Sequence, residues 1–299
     1  MKGIGISVVA VVGAITFYLL YKSIPFMQKY GVGQMLLNCR WEPVSEMPSY
    51  GISYMIGTSL FGSFGALALA MPIGLATAVY ISELAPKGVA EMLETVVELM
   101  AGIPSIIYGL VGLILITPKV QKWEQAWLQN EETAHGFSGG ANLLTAILVL
   151  AVMILPMVII TSKAAIEAVP QRIRLEAMVL GASRLQTIFS VVLEEADKGI
   201  VTAGILAFGR ILGETMVVSF VAGGVVNRPT PFSSVRFLTT TLVSEMGYAK
   251  GTHREALFLI GWILYVLILV LIGGGHGLAT KKTNKKISGR NTDTSSFGN

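Results

Sequence analysis

Arg210 and Glu214 stand four residues apart in the string Gly209, Arg210, Ile211, Leu212, Gly213, Glu214, Thr215, within an otherwise apolar stretch. If that stretch is helical, both side chains fall on one face. A charge at mid-bilayer costs at least about 2.5 kcal/mol, so ionisable groups there turn toward protein or water. Two roles fit the pair. As a gate, Arg210 would offer an anion two parallel hydrogen bonds on a translocation path, with Glu214 holding it at rest and Thr215 adding a hydroxyl. As a clamp, the pair would only fix helix packing. Ser105 joins the candidates because Pro104 before it deprives the Met100 carbonyl of its helical donor, and unwound stretches of this kind line substrate paths in transporters. Pro72 is expected to interrupt the second span as Pro104 does the third; the plainer reading of each is a packing kink with Gly62, Gly65, Ala66, Gly109 and Gly112 allowing close helix contact.

Other chemistries lack their parts. The single cysteine, Cys39, makes neither an internal disulfide nor a zinc cluster. His135, His253 and His276 are too far apart in sequence to suggest a metal site, and no paired-carboxylate motif or serine with a nearby base marks a membrane-embedded enzyme. A Walker-type phosphate loop is missing, so any ATP is hydrolysed by another chain.

The elements that must position these residues are membrane spans. Hydrophobic residues make up 53% and charged residues 13% of the 299, too little charge to cover a water-soluble surface. Mean hydropathy is +0.67, and the apolar residues come in blocks of about 20, the length that crosses a bilayer as a helix. The blocks predict an all-α, polytopic membrane protein with about six spans, near 3–21, 55–80, 93–117, 143–161, 200–225 and 257–279. The first is expected to be an uncleaved anchor: it exceeds a signal-peptide core, and Phe17, Tyr18, Tyr21 and Lys22 offer no small-residue cleavage site.

Six spans put both termini on one side, with the loop at 163–198. Lys and Arg are slightly more numerous there, and Lys281, Lys282, Lys285, Lys286 and Arg290 follow the last span directly. The termini are therefore expected in the cytoplasm. The Ser, Thr, Asn and Gly content of the tail at 281–299 predicts disorder. A net charge of +4 is spread among loops and does not point to nucleic acid.

The loop at 163–198 reads as two short helices joined by a sharp turn. Pro170 suits a helix start, and Ile173, Ala177 and Leu180 share a face. Gly181 suits a left-handed helix end, and Ser183 with Gln186 forms a capping box for a second helix carrying Leu185, Ile188, Phe189 and Val192 on one stripe. The unit is expected to project an apolar face from the membrane, a feature for which a gated channel has no evident use.

Glu176, Ala177, Gly181 and Ala182 resemble the EAA loop of bacterial ABC importer permeases, with Ser183 opening the next helix. The string from Gly209 to Thr215 is similar to the phosphate branch of that family. So are Trp41, Pro43, Tyr50, Gly51 and Ile52, the segment 83–86 and the segment 98–109. Together they resemble the PstC-type permease of the high-affinity phosphate importer, over residue 41 to the last span. Where the family has Leu-Pro after the loop, this chain has Leu193, Glu194 and Glu195, which leaves the second helix freer to continue.

The resemblance implies a type I ABC importer permease fold: an anchor at 1–40, a transmembrane domain at 41–280 with its coupling loop near 163–198, and a basic tail at 281–299. It implies a multi-pass protein of the inner membrane and a role in moving inorganic phosphate, or else sulfate or molybdate. The implied partners are a PstA-type second permease, an ATP-binding subunit dimer that uses ATP and magnesium, an extracytoplasmic phosphate-binding protein and membrane lipid. No cofactor is expected on this chain itself. In the implied mechanism, closure of the ATPase pair rocks the permeases between outward and inward access through the coupling loop.

Overall fold

The apolar blocks become helices in the computed structural model, which describes residues 2–128 and 138–294. The chain runs α1 (Lys2–Tyr30), α2 (Val32–Leu37), a small antiparallel hairpin of β1 (Trp41–Glu42) and β2 (Ser49–Tyr50), then α3 (Ser53–Val79), α4 (Lys87–Gly102), α5 (Ser105–Val111) and α6 (Thr117–Leu128). It continues as α7 (Leu143–Glu167), α8 (Gln171–Val179), α9 (Arg184–Thr187), α10 (Leu193–Leu212), α11 (Met216–Val221), α12 (Leu238–Glu245) and α13 (Gly251–Thr294). Among the described residues, four stretches are long and apolar enough to cross a membrane, in α1, α3, α7 and α13. A fifth is added if Lys87–Gly102 and Ser105–Trp127 form one broken span.

Three expectations change. The block at 200–225 is not one helix: α10 stops at Leu212 and α11 restarts at Met216, because Gly213 and the side chain of Glu214 end one helix and begin another. Pro72 does not interrupt its span, since α3 runs through it and the ladder departs from regularity only later, in a π-type turn at Tyr80–Leu84. The tail remains helical to Thr294, because extending an established helix is far easier than nucleating one. His135 and residues 295–299 lie outside the described residues, as does the side chain of His276.

Packing divides the chain into two units. The first comprises Met1–Ala66, Pro104–Val152 and Ile211–Ile268, and Phe26, Met35, Trp41, Tyr50, Ile52 and Met55 pack in its core with Leu257 and Ile260. Small residues set its helix contacts, as the sequence suggested. A side-chain carbon on Gly62 would meet the Phe237 ring at 2.7 Å, and one on Gly112 would meet Val149 at 2.5 Å. The second unit comprises Leu67–Ile103, Met153–Arg210 and Leu269–Asn299, with Ile81, Val97, Ile166, Ile188 and Val192 in its core.

Candidate functional site

Ser105, Glu214 and Thr215 lie in the first unit. Ser105 is the half-buried first residue of α5, the helix that restarts after Ile103 and Pro104. The Met100 carbonyl is not left free: it accepts the N–H of Ile103 at 3.2 Å. Helices α5 and α11 pack closely, since a side-chain carbon on Gly109 would lie 3.1 Å from the Val217 backbone and 2.9 Å from Phe220.

Glu214 lies beyond the end of α10, so it does not share a helical face with Arg210. Its carboxylate accepts the backbone N–H groups of Thr215, Met216 and Val217 at 3.2, 3.1 and 3.3 Å, which satisfies the open start of α11. Its own carbonyl accepts the Thr239 hydroxyl at 2.8 Å. Thr215 accepts the Ser219 hydroxyl at its carbonyl, while its own side chain donates weakly to Gly213. The acceptor role makes a prediction: Glu214→Ala should lower stability by about 1 kcal/mol, whereas Glu214→Gln, which keeps an acceptor oxygen, should lower it less. Thermal unfolding of the two variants checks this, and equal losses would return Glu214 to a role that needs its charge.

Arg210 occupies the last turn of α10 in the second unit, exposed and without an ion-pair partner among the described residues.

The loop at 163–198 folds much as its residues predict. Gly181 has φ of +90°, and the N–H groups of Gly181 and Ala182 bond to the carbonyls of Met178 and Ala177 at 3.0 and 3.1 Å. This double closure is the Schellman helix end. No atom lies within 4 Å of where a side chain on Gly181 would begin, so its requirement for glycine is conformational rather than steric. Ser183 and Gln186 make both bonds of the capping box. From Arg184 the chain stays helical to Leu212, with a π-type turn at Ile188–Val192, so replacing the family's proline by Glu194 leaves the helix unbroken.

The expected stripe on the second helix divides into two faces. Ile188 and Val192 are buried, while Leu185 and Phe189 are exposed. Around the turn, Val179 and Leu180 are 86% and 88% exposed, and Leu175 and Met178 are exposed as well, an apolar surface of the kind that marks a docking site. Glu176 pairs with Arg172 at 2.6 Å on the exposed side of α8, and Ala177 is half-buried.

Two clusters escaped the sequence reading. Glu83, in the π-type turn after α3, pairs with Arg174 of α8, and its backbone carbonyl accepts from Arg184. Arg174 also donates to the Ile166 carbonyl of α7 at 2.8 Å, and its buried Nε has no partner among the described residues. In the first unit, the buried Glu245 carboxylate accepts Trp41 Nε1 at 3.0 Å and Arg236 Nη1 at 2.6 Å, and it contacts His253 Nε2 at 2.8 Å. Arg236 donates further to the Gly224 carbonyl at 2.7 Å. Beside this cluster, desolvation and then the charge of Glu245 raise the Tyr248 phenol pKa, against the opposing charge of Arg236. Trp41 and Glu83 enter the sequence reading only through the resemblance, and His253 only as a histidine too distant from the others for a metal site; Glu245 and Arg236 carry no local signal.

Interrupted apolar helices and an exposed, doubly capped helical turn are the marks of a polytopic membrane protein with an exposed apolar surface at one loop. Residues 70–285 match the family described as binding-protein-dependent transport system inner membrane component. The phosphate transport system permease protein PstC of Pasteurella multocida (strain Pm70) is 35% identical over 78% of this chain and 75% of its own length. The protein of the same name from Haemophilus influenzae (strain ATCC 51907 / DSM 11121 / KW20 / Rd) is 32% identical over 91% and 89%. Among solved structures, the chain is similar to one from a bacterial alginate ABC transporter in complex with alginate pentasaccharide-bound periplasmic protein. The TM-score is 0.59 at 20% identity, covering 94% of this chain and 96% of that one, a likeness of fold alone. The chain belongs to the binding-protein-dependent transport inner membrane component family, in its PstC-type branch, and has the type I ABC importer permease fold.

Proposed function

We propose that the chain is a permease subunit of an ATP-driven importer and forms part of the path by which inorganic phosphate crosses the cytoplasmic membrane. The observation that carries this reading is its 35% identity, over three quarters of either chain, to a protein named as a phosphate transport permease. The exposed apolar residues around Gly181 support it, because a permease without an ATPase site needs a surface on which an ATPase can act. In this reading a dimer of ATP-binding subunits uses ATP and magnesium and engages Glu176, Ala177, Gly181, Ala182 and Ser183. A PstA-type permease completes the path, and an extracytoplasmic phosphate-binding protein delivers the anion. Both termini face the cytoplasm, beside the ATPase.

Arg210 is the proposed anion contact, since it is exposed and outside any ion pair among the described residues, and Glu214 is occupied by backbone N–H groups. Ser105 and Thr215 are the proposed hydroxyls of the path. Arg210→Gln should reduce phosphate uptake at least about tenfold, the loss expected for a hydrogen bond to a charged group, with assembly and ATPase activity intact. Uptake is measured with radiolabelled phosphate, with sulfate and molybdate as competitors. Full uptake by an assembled Arg210→Gln complex would exclude the contact, and equal competition by sulfate would overturn phosphate as the cargo.

A further inference from the structure

A groove of about 650 Å³ opens in the first unit between α1 and the start of α13, lined by Tyr18, Tyr21, Lys22, Arg254, Glu255 and Phe258 among others. Its size falls within the roughly 300–1,000 Å³ of small-molecule sites. Lys22 is the first charge after the apolar run of α1, and Arg254 lies just before the apolar run of α13 begins at Ala256. If the apolar runs before Lys22 and after Glu255 set the bilayer core, the groove lies at headgroup level, at the end of the two helices away from the chain termini. Tyr18 and Tyr21 are about half exposed there, and Tyr18 meets Phe258 edge to face with ring centres 5.9 Å apart. Aromatic rings at this level anchor a protein at the membrane interface.

Neither cation is spent on a carboxylate. Among the described residues Lys22 and Arg254 have no ion pair, although Glu255 lines the same groove. The Lys22 ammonium instead stands 5.9 Å from the Tyr18 ring centre and 6.0 Å from that of Tyr21, held at the edge of the groove by ring faces. The result is a pocket with an aromatic wall on the exposed apolar face of α1 and two cations that, among the described residues, are outside any ion pair.

We propose that this groove binds the headgroup of an anionic phospholipid, with the phosphodiester between Lys22 and Arg254 and the upper acyl chain against Tyr18 and Phe258. A phosphate oxyanion is the chemistry that two basic side chains lining one groove recognise, and a free phosphate ion presents it too. The apolar lining and the depth favour the lipid, because a free ion has no use for an aromatic wall at the bilayer edge. This site is separate from Arg210 and does not depend on which anion the chain moves.

The test uses the full-length protein extracted from membranes in its native assembly, titrated with phosphatidylglycerol and followed by native mass spectrometry. One phosphatidylglycerol should be retained in preference to phosphatidylcholine. Lys22→Gln with Arg254→Gln should weaken retention at least about tenfold, the loss expected when a hydrogen bond to a charged group is removed. The charge-conserving pair Lys22→Arg with Arg254→Lys should keep it. Equal retention of the two lipids by the wild-type assembly overturns the proposal without recourse to any variant. It is equally overturned if the wild-type assembly retains neither lipid, as it would with a partner helix filling the groove, if the Gln pair binds phosphatidylglycerol as tightly, or if excess inorganic phosphate displaces the lipid.

Discussion

Glu245→Ala is expected to destabilise the protein by about 3–5 kcal/mol, the loss that follows when one partner is removed from a buried ion pair. The carboxylate is 6% exposed and is the shared acceptor for groups from three places: the indole of Trp41 before the β-hairpin turn, the guanidinium of Arg236 before α12, and the imidazole of His253 in the first turn of α13. Its removal strands Arg236 with only the Gly224 carbonyl, and leaves the Trp41 N–H, in a residue 7% exposed, without a partner. Glu245→Gln keeps one acceptor oxygen but adds an N–H₂ that faces other donors, so it should fall between Ala and wild type. Trp41→Phe removes one donor to a charged acceptor and should cost about 1.5–3 kcal/mol. Thermal unfolding in detergent, followed by tryptophan fluorescence, gives the order. Equal midpoints for Glu245→Ala and wild type would mean that the hairpin, the Arg236 loop and α13 are held by their apolar contacts alone.

The physical reason that this cluster was illegible in the sequence is distance along the chain. Trp41 and Glu245 are 204 positions apart, and Glu83 and Arg174 are 91 apart. Periodicity and capping rules see neighbours within one or two turns, and within that range they read this chain well. Gly181 has the left-handed backbone expected of it, Ser183 and Gln186 close their box, and the helix breaks beside Pro104. They mislead where an average conceals a local choice. The block at 200–225 is apolar enough for a span, yet the Glu214 carboxylate offers the backbone an alternative to helix continuation at that point. Pro72 errs the other way, because one missing N–H is tolerated in a membrane helix whose neighbours can satisfy the freed group. Arg210 shows both limits at once: its charge in an apolar stretch singles it out, while the partner assigned to it by helical spacing lies past the helix end and accepts from the first N–H groups of the next helix.

Glu83→Ala should uncouple the protruding loop from the membrane helices without unfolding either. Helix α8 has no fully buried residue, so half-buried Ile173 and Ala177 supply little hydrophobic anchoring. Its attachment depends on Arg174, which joins the Glu83 carboxylate after α3 to the Ile166 carbonyl in α7. The two side chains of the pair are 15% and 12% exposed, shielded enough for their attraction to matter. Loss of the carboxylate leaves a shielded guanidinium with one partner and an Nε that already has none, a local penalty of about 3–5 kcal/mol. Because α8 is otherwise weakly held, that penalty is relieved by α8 moving away rather than by the unit unfolding. Membrane abundance should stay near wild type, amide exchange in α8 should accelerate, and ATP-driven phosphate uptake should fall at least about tenfold. The exposed pair of Arg172 and Glu176 is the internal control, since Arg172→Ala should change stability by no more than about 0.5 kcal/mol. Replacing both Glu83 and Arg174 by leucine separates charge from packing: with no buried charge left to solvate, α8 protection should recover relative to Glu83→Ala. Wild-type exchange in α8 together with wild-type uptake in Glu83→Ala would show that force reaches the membrane helices along the backbone of α7 and α9, and not through this side-chain link.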